Sequence, residues 1–368
     1  MRTIRRLVYR EVVTSVVFVA VGFLALFFFF DFVDELPNVG KGPAGATYKL
    51  AEALGYVVLR MPNHLYELLP IAVLIGTIFV MARLAQSSEY TILRTSGLGP
   101  WRALRTLLGL GLVFALLTFA TGDYLAPIAD RTAQLLKARY EGRISIGQTG
   151  AWLKEKQVAN TYNVNVNALS SEGDMRGVRI FEADPRGFVV SVTQAAKGRF
   201  ATDGAWLLEN AERTEFIQDG KHARVQRVTH PTLRWPTEIS PEMVSVALLK
   251  PDRMSTIDLF QYIQHLEANG QTSQRYEIEF WRKVFYPLSC IVMVVLALPF
   301  AYLHFRSSSI TSYVFGGVLV GISFFLLNNV FGYIGNLQNW WPWLTAASPG
   351  LIYSVVSLAA FGWLVLRR

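Results

Sequence analysis

The stretch Val12–Phe32, VVTSVVFVAVGFLALFFFFDF, decides the fold. It carries no charged residue until Asp31. Crossing the hydrocarbon core of a bilayer takes about 20 helical residues, and a helix that is apolar on every side belongs in lipid or in a deep core. The run is too long for the core of a cleavable secretory signal, and no small-residue cleavage site follows it, so it is expected to remain as an anchor. Working outward, five more apolar runs have the same character. They are Leu65–Leu84, broken early by Pro70, then Leu104–Leu125, Val284–Leu303, Tyr313–Ile334 and Trp343–Leu366.

Composition agrees with six spans. The 368 residues are 52% apolar and 13% aromatic but only 17% charged, against about 25% in an ordinary soluble domain. Mean hydropathy is +0.31. These values exclude a disordered chain, a collagen-like chain and a disulfide scaffold. Cys290 is the only cysteine, so neither an intrachain disulfide nor a multi-cysteine metal site can form. The net charge of +8 leaves two readings open, a membrane protein with cationic flanks or a nucleic-acid binder.

Between the third and fourth runs lie about 155 residues of different character. Phe188–Val192 and Ala223–Val228 alternate as strands do. Asp184-Pro185-Arg186-Gly187, Asp203-Gly204 and Asp219-Gly220 have turn chemistry. An all-β sandwich or roll is expected over about 144–249. After it, Ser255-Thr256-Ile257-Asp258 resembles a capping box. Leu259, Ile263 and Leu266 would share one helical face, and Gly270 would stop that helix.

Topology follows from Lys and Arg in short loops. Arg2, Arg5, Arg6 and Arg10 precede span one, and Arg83, Arg94, Arg102 and Arg105 flank the loop between spans two and three. Arg306 follows span four, and Arg367 and Arg368 follow span six. With six spans, all eleven fall on one side, together with only Glu11 and Glu89. That side therefore carries +9 and the rest of the chain −1. Both termini are expected in the cytoplasm and the β-domain outside. The basic excess then reports orientation, and no nucleic-acid partner is needed to explain it.

Catalytic signatures are missing. The sequence holds no G-x-x-x-x-G-K-[ST], no H-E-x-x-H and no G-x-S-x-G, and its five histidines are scattered. Three features remain informative. The loop Arg83–Arg105 sets one acid, Glu89, among four arginines, with apolar Ile92, Leu93 and Leu98. It reads either as positive-inside charge on a helical hairpin or as a short helix docking into a cytoplasmic partner. At the opposite rim, Asp31, Asp34, Glu35 and Lys41 follow span one, Arg131, Lys137 and Arg139 follow span three, and Arg282 and Lys283 precede span four. The bases there either snorkel or meet anionic lipid head groups. In span five, Gly317 and Gly321 form a G-x-x-x-G, and Asn328 and Asn329 are deep polar residues.

Taken in order over the whole chain, these features resemble the LptF/LptG (YjgP/YjgQ) permease family. Phe32-Val33-Asp34-Glu35 ends span one, and Leu84–Glu89 is followed by Arg94-Thr95-Ser96-Gly97. Gly150–Lys154, Gly177–Phe181 and Gly204–Leu208 look like family strands, and Arg275-Tyr276 through Trp281-Arg282-Lys283 leads to Pro287-Leu288. The short tail after span six and Leu327–Gly332 lean toward the LptG half of the family.

The resemblance implies a helical membrane protein of six transmembrane helices with an inserted periplasmic, jellyroll-like β-domain. Residues 1–127 would hold three spans and a cytoplasmic coupling helix near 84–98. Residues 128–275 would hold the β-domain with connecting helices, and 276–368 the last three spans. The family's members are permease subunits, not enzymes, of an ABC exporter in the bacterial inner membrane. The exporter extracts lipopolysaccharide and passes it to a periplasmic bridge. Implied partners are an LptF-like subunit, an LptB-like ATPase homodimer that binds ATP and Mg, and LptC-like and LptA-like periplasmic proteins. This chain would need no cofactor of its own.

Carried over by residue, Glu89, Arg94 and Gly97 would couple to the ATPase. Lys41 sits where head-group contacts are expected, although Pro37 and Asn38 stand where another base would be. Arg131 and Arg139 become the stronger phosphate candidates. Phe27, Phe30, Leu69, Phe324 and Leu327 would line an acyl cavity. Two rival readings are a secondary transporter and a membrane-anchored envelope scaffold. The first would want acids within the membrane, whereas Asp31 and Asp123 lie at span ends. The second would not need six spans.

Overall fold

A computed structural model describes residues 2–41, 47–87, 99–141, 150–170, 173–201, 204–219, 222–247, 250–302 and 310–363. Among them, six helical segments are long and apolar enough to cross a membrane, and one six-stranded antiparallel sheet lies between the third and the fourth. The protein is a helical membrane protein with an inserted β-domain. The chain divides into two compact units. The helical unit comprises Met1–Asp34, Val57–Ala129 and Glu277–Arg368, and the other comprises Glu35–Tyr56 and Asp130–Tyr276. The second unit thus takes in the segment Glu35–Tyr56 as well as the sheet.

In the helical unit, α1 (Arg2–Glu35) buries Val12, Val16 and Ala20 and leaves Val17, Phe18, Val21 and Phe29 exposed. Helix α2 (Leu50–Gln86) runs unbroken through Pro62 and Pro70, where the sequence suggested an interruption. A proline costs a backbone hydrogen bond one turn earlier, and within a bundle neighbouring groups can replace it. Beside Pro70, the Tyr286 hydroxyl donates to the neighbouring Glu67 carbonyl, while the carbonyl that Pro70 itself leaves open is that of Tyr66.

Helix α3 (Pro100–Ala120) passes through a π-helical turn, Thr121–Leu125, into α4 (Ala126–Glu141), so the third span extends well beyond Leu125. A π turn leaves a carbonyl without its usual partner, and Lys283 Nζ donates to the Gly122 carbonyl at 2.8 Å. The third span carries buried Thr118, whose hydroxyl lies 3.2 Å from the Sγ of buried Cys290.

The sheet is a meander in which each strand pairs with its sequence neighbours. Its strands are β1 (Ala151–Lys156), β2 (Thr161–Leu169), β3 (Met175–Ala183), β4 (Val189–Phe200), β5 (Ala205–Asp219) and β6 (His222–Pro236). Leu153, Val164, Val166, Val178, Ile180 and Leu208 are buried, as period-two alternation requires for one covered face. The sheet rolls, because the end of its first strand meets the chain just beyond its last. Glu155 accepts from the Thr237 hydroxyl and from the Glu238 amide at 3.0 Å, and Gln157 donates to the Pro236 carbonyl at 3.2 Å. Trp206 is fully buried and donates its indole N–H to the Ile239 carbonyl at 2.7 Å. The Asp184–Gly187 turn closes β3 onto β4, with Gly187 at φ +88°.

After the sheet come the short helix α5 (Pro241–Ala247) and then α6 (Thr256–Ala268), whose capping box joins Ser255 and Asp258 in both directions. Its covered face is Leu259, Tyr262 and Leu266; Ile263 is only half-buried. The fourth span is α7 (Gln274–Phe285) and α8 (Ser289–Ala297), joined by a 3₁₀ turn at Pro287. Helix α8 is almost wholly buried. Spans five and six are α9 (Ile310–Leu337) and α10 (Pro342–Phe361). A Cβ on Gly317 or Gly321 would come within 2.7 Å of Ile78 or Ile71, so this pair of glycines lets α9 lie directly on α2.

Candidate functional site

The site is built where α1 ends. Pro37 has no N–H to extend the helix, and the chain tightens into a 3₁₀ turn at Leu36–Asn38. The turn presents Asn38 Nδ2 to Glu35 Oε1 at 3.1 Å, so this amide donates to the carboxylate where a second base was expected. The backbone then fixes Lys41. Its N–H donates to the Asn38 carbonyl at 3.1 Å, and its carbonyl accepts from the Tyr48 amide at 3.0 Å.

From another part of the chain, α4 brings Lys137 and Tyr140, which stand one turn apart on one helical face. Lys137 Nζ lies 3.2 Å from Glu35 Oε2 and 4.8 Å from the centre of the Tyr56 ring. Tyr48 and Tyr140 meet edge to face at 5.2 Å. Glu35, Asn38, Lys41, Tyr48, Lys137 and Tyr140 surround a cavity of about 60 Å³. Glu35 is 5% exposed, so its charge depends on the Lys137 ammonium and the Asn38 amide. Lys41 is exposed. Chemically, this is a pocket with aromatic walls and two ammonium groups at its margin, one neutralised inside the protein and one turned to solvent. It suits an anionic oxygen group from outside.

The other head-group candidates are placed differently. Arg131 Nη2 lies 2.6 Å from Asp258 Oδ2, in a pair that ties α4 to the first turn of α6, and Asp130 pairs with Arg253 at 3.2 Å. Arg131 therefore has a structural partner. Arg139 lies on α4. Sequence reasoning had put Lys137 among the rim bases without singling it out. The signal that could have found it is its i,i+3 spacing from Tyr140 on a helix that continues past the apolar run. Glu89, Arg94 and Gly97, with most of the coupling segment, lie outside the described residues.

The five acyl-cavity candidates separate. Leu69 and Phe324 are inside the helical core, with Phe324 5.1 Å from the Tyr353 ring and 6.2 Å from that of Tyr286. Phe27 and Leu327 are half-buried, and Phe30 is exposed. The open apolar surface of α9 is carried by Phe315, Leu319, Ile322 and Leu326 instead. Near the end of α1, Asp31 accepts from His64 at 2.8 Å and pairs with Arg60 at 3.3 Å, both on α2. Phe27 packs on the His64 ring at 4.8 Å. Asp31 thus pins α1 to α2. Asn328 uses its amide on the Phe324 carbonyl at 3.1 Å, and its own carbonyl accepts from Arg282 at 2.9 Å. Among the described residues, no group of three or more metal-binding side chains gathers.

Known proteins resemble this chain along nearly all of its length. The sequence model for the lipopolysaccharide export system permease LptF/LptG matches residues 6–366. The LptG permease protein of Escherichia coli is 26% identical over 366 residues, covering 99% of this chain and 98% of that protein. The LptG permease protein of Haemophilus influenzae is 25% identical over 340 residues, covering 92% and 90%.

Proposed function

Because the chain belongs to the LptF/LptG family of lipopolysaccharide export permeases, we propose that it is the LptG-like permease subunit of an ATP-driven exporter. It is a multi-pass inner-membrane protein of the lipopolysaccharide transport system. In this reading an LptF-like subunit pairs with it, and an LptB-like homodimer supplies ATP and Mg chemistry from the cytoplasm. LptC-like and LptA-like proteins receive the lipid in the periplasm. The termini are cytoplasmic and the β-domain is periplasmic.

The observation that carries the reading is the rim pocket, with Lys41 exposed and Lys137 held beside it. A lipid with an anionic head and several acyl chains needs cations at the interface and apolar helix surface below it. Open apolar faces on α1 and α9 are available to acyl chains. Lys41 first meets an anionic head-group oxygen. Lys137, paired with Glu35, holds the pocket wall in place. Binding of nucleotide to the ATPase then moves the segment around Glu89, and that motion closes the apolar faces on the lipid.

The test is a reconstituted system with the full set of partner proteins. Glu89→Lys is expected to preserve complex assembly and ATP hydrolysis while lowering lipid release at least tenfold. Normal release by this variant would remove Glu89 from the coupling role. Failure of any ATPase to co-purify with the wild-type chain would sink the exporter assignment.

A further inference from the structure

Where α1 and α3 begin, the helical unit carries a basic patch that the export reading does not use. Tyr9 joins the two helices there. Its hydroxyl donates to the Thr106 carbonyl at 2.9 Å, and a Cβ on Gly109 would come within 2.9 Å of that hydroxyl, so the glycine leaves room for the ring. This contact sits beside Glu11 of α1, which pairs with Arg83 near the end of α2 at 2.7 Å. Beyond the far end of α3, Gly122 packs on Tyr66, much earlier in α2. Helix α3 therefore runs against α2. Helix α1 does the same, since Asp31 meets His64 at 2.8 Å. The two helices joined by Tyr9 are thus parallel.

Each carries an exposed stripe beside the contact. Arg6, Arg10, Val13 and Val17 follow one another at helical spacing on α1, and Arg105, Leu108, Leu112 and Leu116 do so on α3. Val12, Val16, Leu107 and Leu110 form the buried faces of the same helices. On each helix the seam residue, Tyr9 or Thr106, stands between the buried face and the stripe. With parallel helices, both stripes then lie on one side of the seam, away from α2. Each stripe begins basic and continues aliphatic. Trp101 stands a turn before Arg105 on the same face and is exposed, as aromatics at the head-group level are. Among the described residues, no carboxylate pairs with Arg6, Arg10 or Arg105, and Glu11, the acid next to Arg10, is held by Arg83.

We propose that this seam binds an anionic phospholipid. Its phosphodiester is held by Arg6, Arg10 and Arg105, and its acyl chains lie along Val13, Val17, Leu108 and Leu112. Packed helices are about 8–10 Å apart, so long guanidinium side chains from both reach one group lying over the seam. A guanidinium matches phosphate oxygens with paired donors. The order of residues selects the occupant. Cations within a turn of the Tyr9–Thr106 contact, followed by two aliphatic stripes, match one anionic head with paired chains. A soluble phosphate ester would leave the stripes uncovered, and a zwitterionic lipid brings an ammonium that three arginines repel. The site stands on the helical unit alone and holds whether or not the chain exports lipopolysaccharide.

The experiment uses the full chain in phosphatidylcholine nanodiscs. Phosphatidylglycerol with a photoreactive diazirine on its acyl chains is added, and cross-linked peptides are mapped by mass spectrometry. Labelling should concentrate on Val13–Val17 and Leu108–Leu112, and unlabelled phosphatidylglycerol should compete it away. Arg10→Gln and Arg105→Gln should each weaken that labelling about fivefold, the loss of one arginine–lipid contact. Arg105→Lys, which keeps the charge, should retain most of it. Arg306→Gln, a basic residue on the same rim by sequence, should change nothing. Equal labelling by a phosphatidylcholine probe with the same chains overturns the proposal, as does unchanged labelling in Arg10→Gln and Arg105→Gln. An equal loss in Arg306→Gln shows diffuse attraction to the membrane surface and also overturns it. So does full competition by soluble glycerol phosphate, which would make the occupant a free phosphate ester.

Discussion

Lys41 and Lys137 border the same pocket but face different tasks. Lys41 is exposed, and Lys137 is joined to a carboxylate that is almost fully buried. Lys41→Ala should therefore leave thermal stability within about 0.5 kcal/mol of wild type. It should weaken lipopolysaccharide binding by about threefold to tenfold at low salt, with a smaller loss at high salt. Lys137→Ala should lower stability by about 1–2 kcal/mol, because Glu35 loses its ammonium, with partial exposure of the pair limiting the loss. Thermal melts and binding at two ionic strengths check both. Glu182 carries a pH signature. Burial raises its pKa, but hydrogen bonds from Ser191, Asn160 and Tyr162 and the Arg213 charge outweigh burial and hold the folded value below the ordinary one near 4.5, so its stabilisation is fully present above that ordinary value. It is lost as pH falls through the depressed folded value. Hydrogen exchange on β3 and β4 should show protection falling in this acid range, and Glu182→Gln should flatten that dependence. At this scale the sequence marked Lys41 and left Lys137 among the other bases, because which base faces a given carboxylate depends on two segments far apart in the chain.

Helix α1 depends on its seam with α2. A Cβ on Gly76 would meet the Val16 backbone at 2.8–2.9 Å, and backbone cannot rotate aside as a side chain can. Gly76→Ala is expected to cost about 1–3 kcal/mol, read as a lower melting temperature in detergent. It should also loosen the cross-links that a cysteine pair spanning α1 and α2 forms. Asp31 with Arg60 and His64, and Glu11 with Arg83 at 2.7 Å, tie the same two helices at either end of this seam. Most helix types and the capping box of α6 were legible in the sequence, since they rest on local period and local side-chain chemistry. The continuity of α2 across Pro70 and of α3 into α4 was not. Packing from distant segments accompanies both: the Tyr286 hydroxyl meets the Glu67 carbonyl beside the first, and Lys283 meets the Gly122 carbonyl in the second.

For the whole molecule, the exporter reading fixes which side each segment faces. Cys290 is buried and gives a silent background for labelling. A cysteine replacing Arg186, whose side chain is 82% exposed, should react with a membrane-impermeant maleimide added to intact cells with a permeabilised outer membrane. A cysteine replacing Arg306 should react only after the inner membrane is opened. The reverse pattern would invert the topology. By itself the sequence determined six spans, an inserted β-domain, the family and an orientation expected from charge. These follow from hydropathy, alternation and loop arginines, properties that every short segment carries independently of its neighbours. Only the tertiary structure decided that Lys137 stands beside Lys41, that Arg131 is held by Asp258, and that Leu69 and Phe324 are core. It alone revealed that the basic ends of α1 and α3 meet at the Tyr9–Thr106 contact. Those outcomes depend on contacts between distant segments, where packing and the need to satisfy buried charge and backbone select one partner from several that the sequence allows.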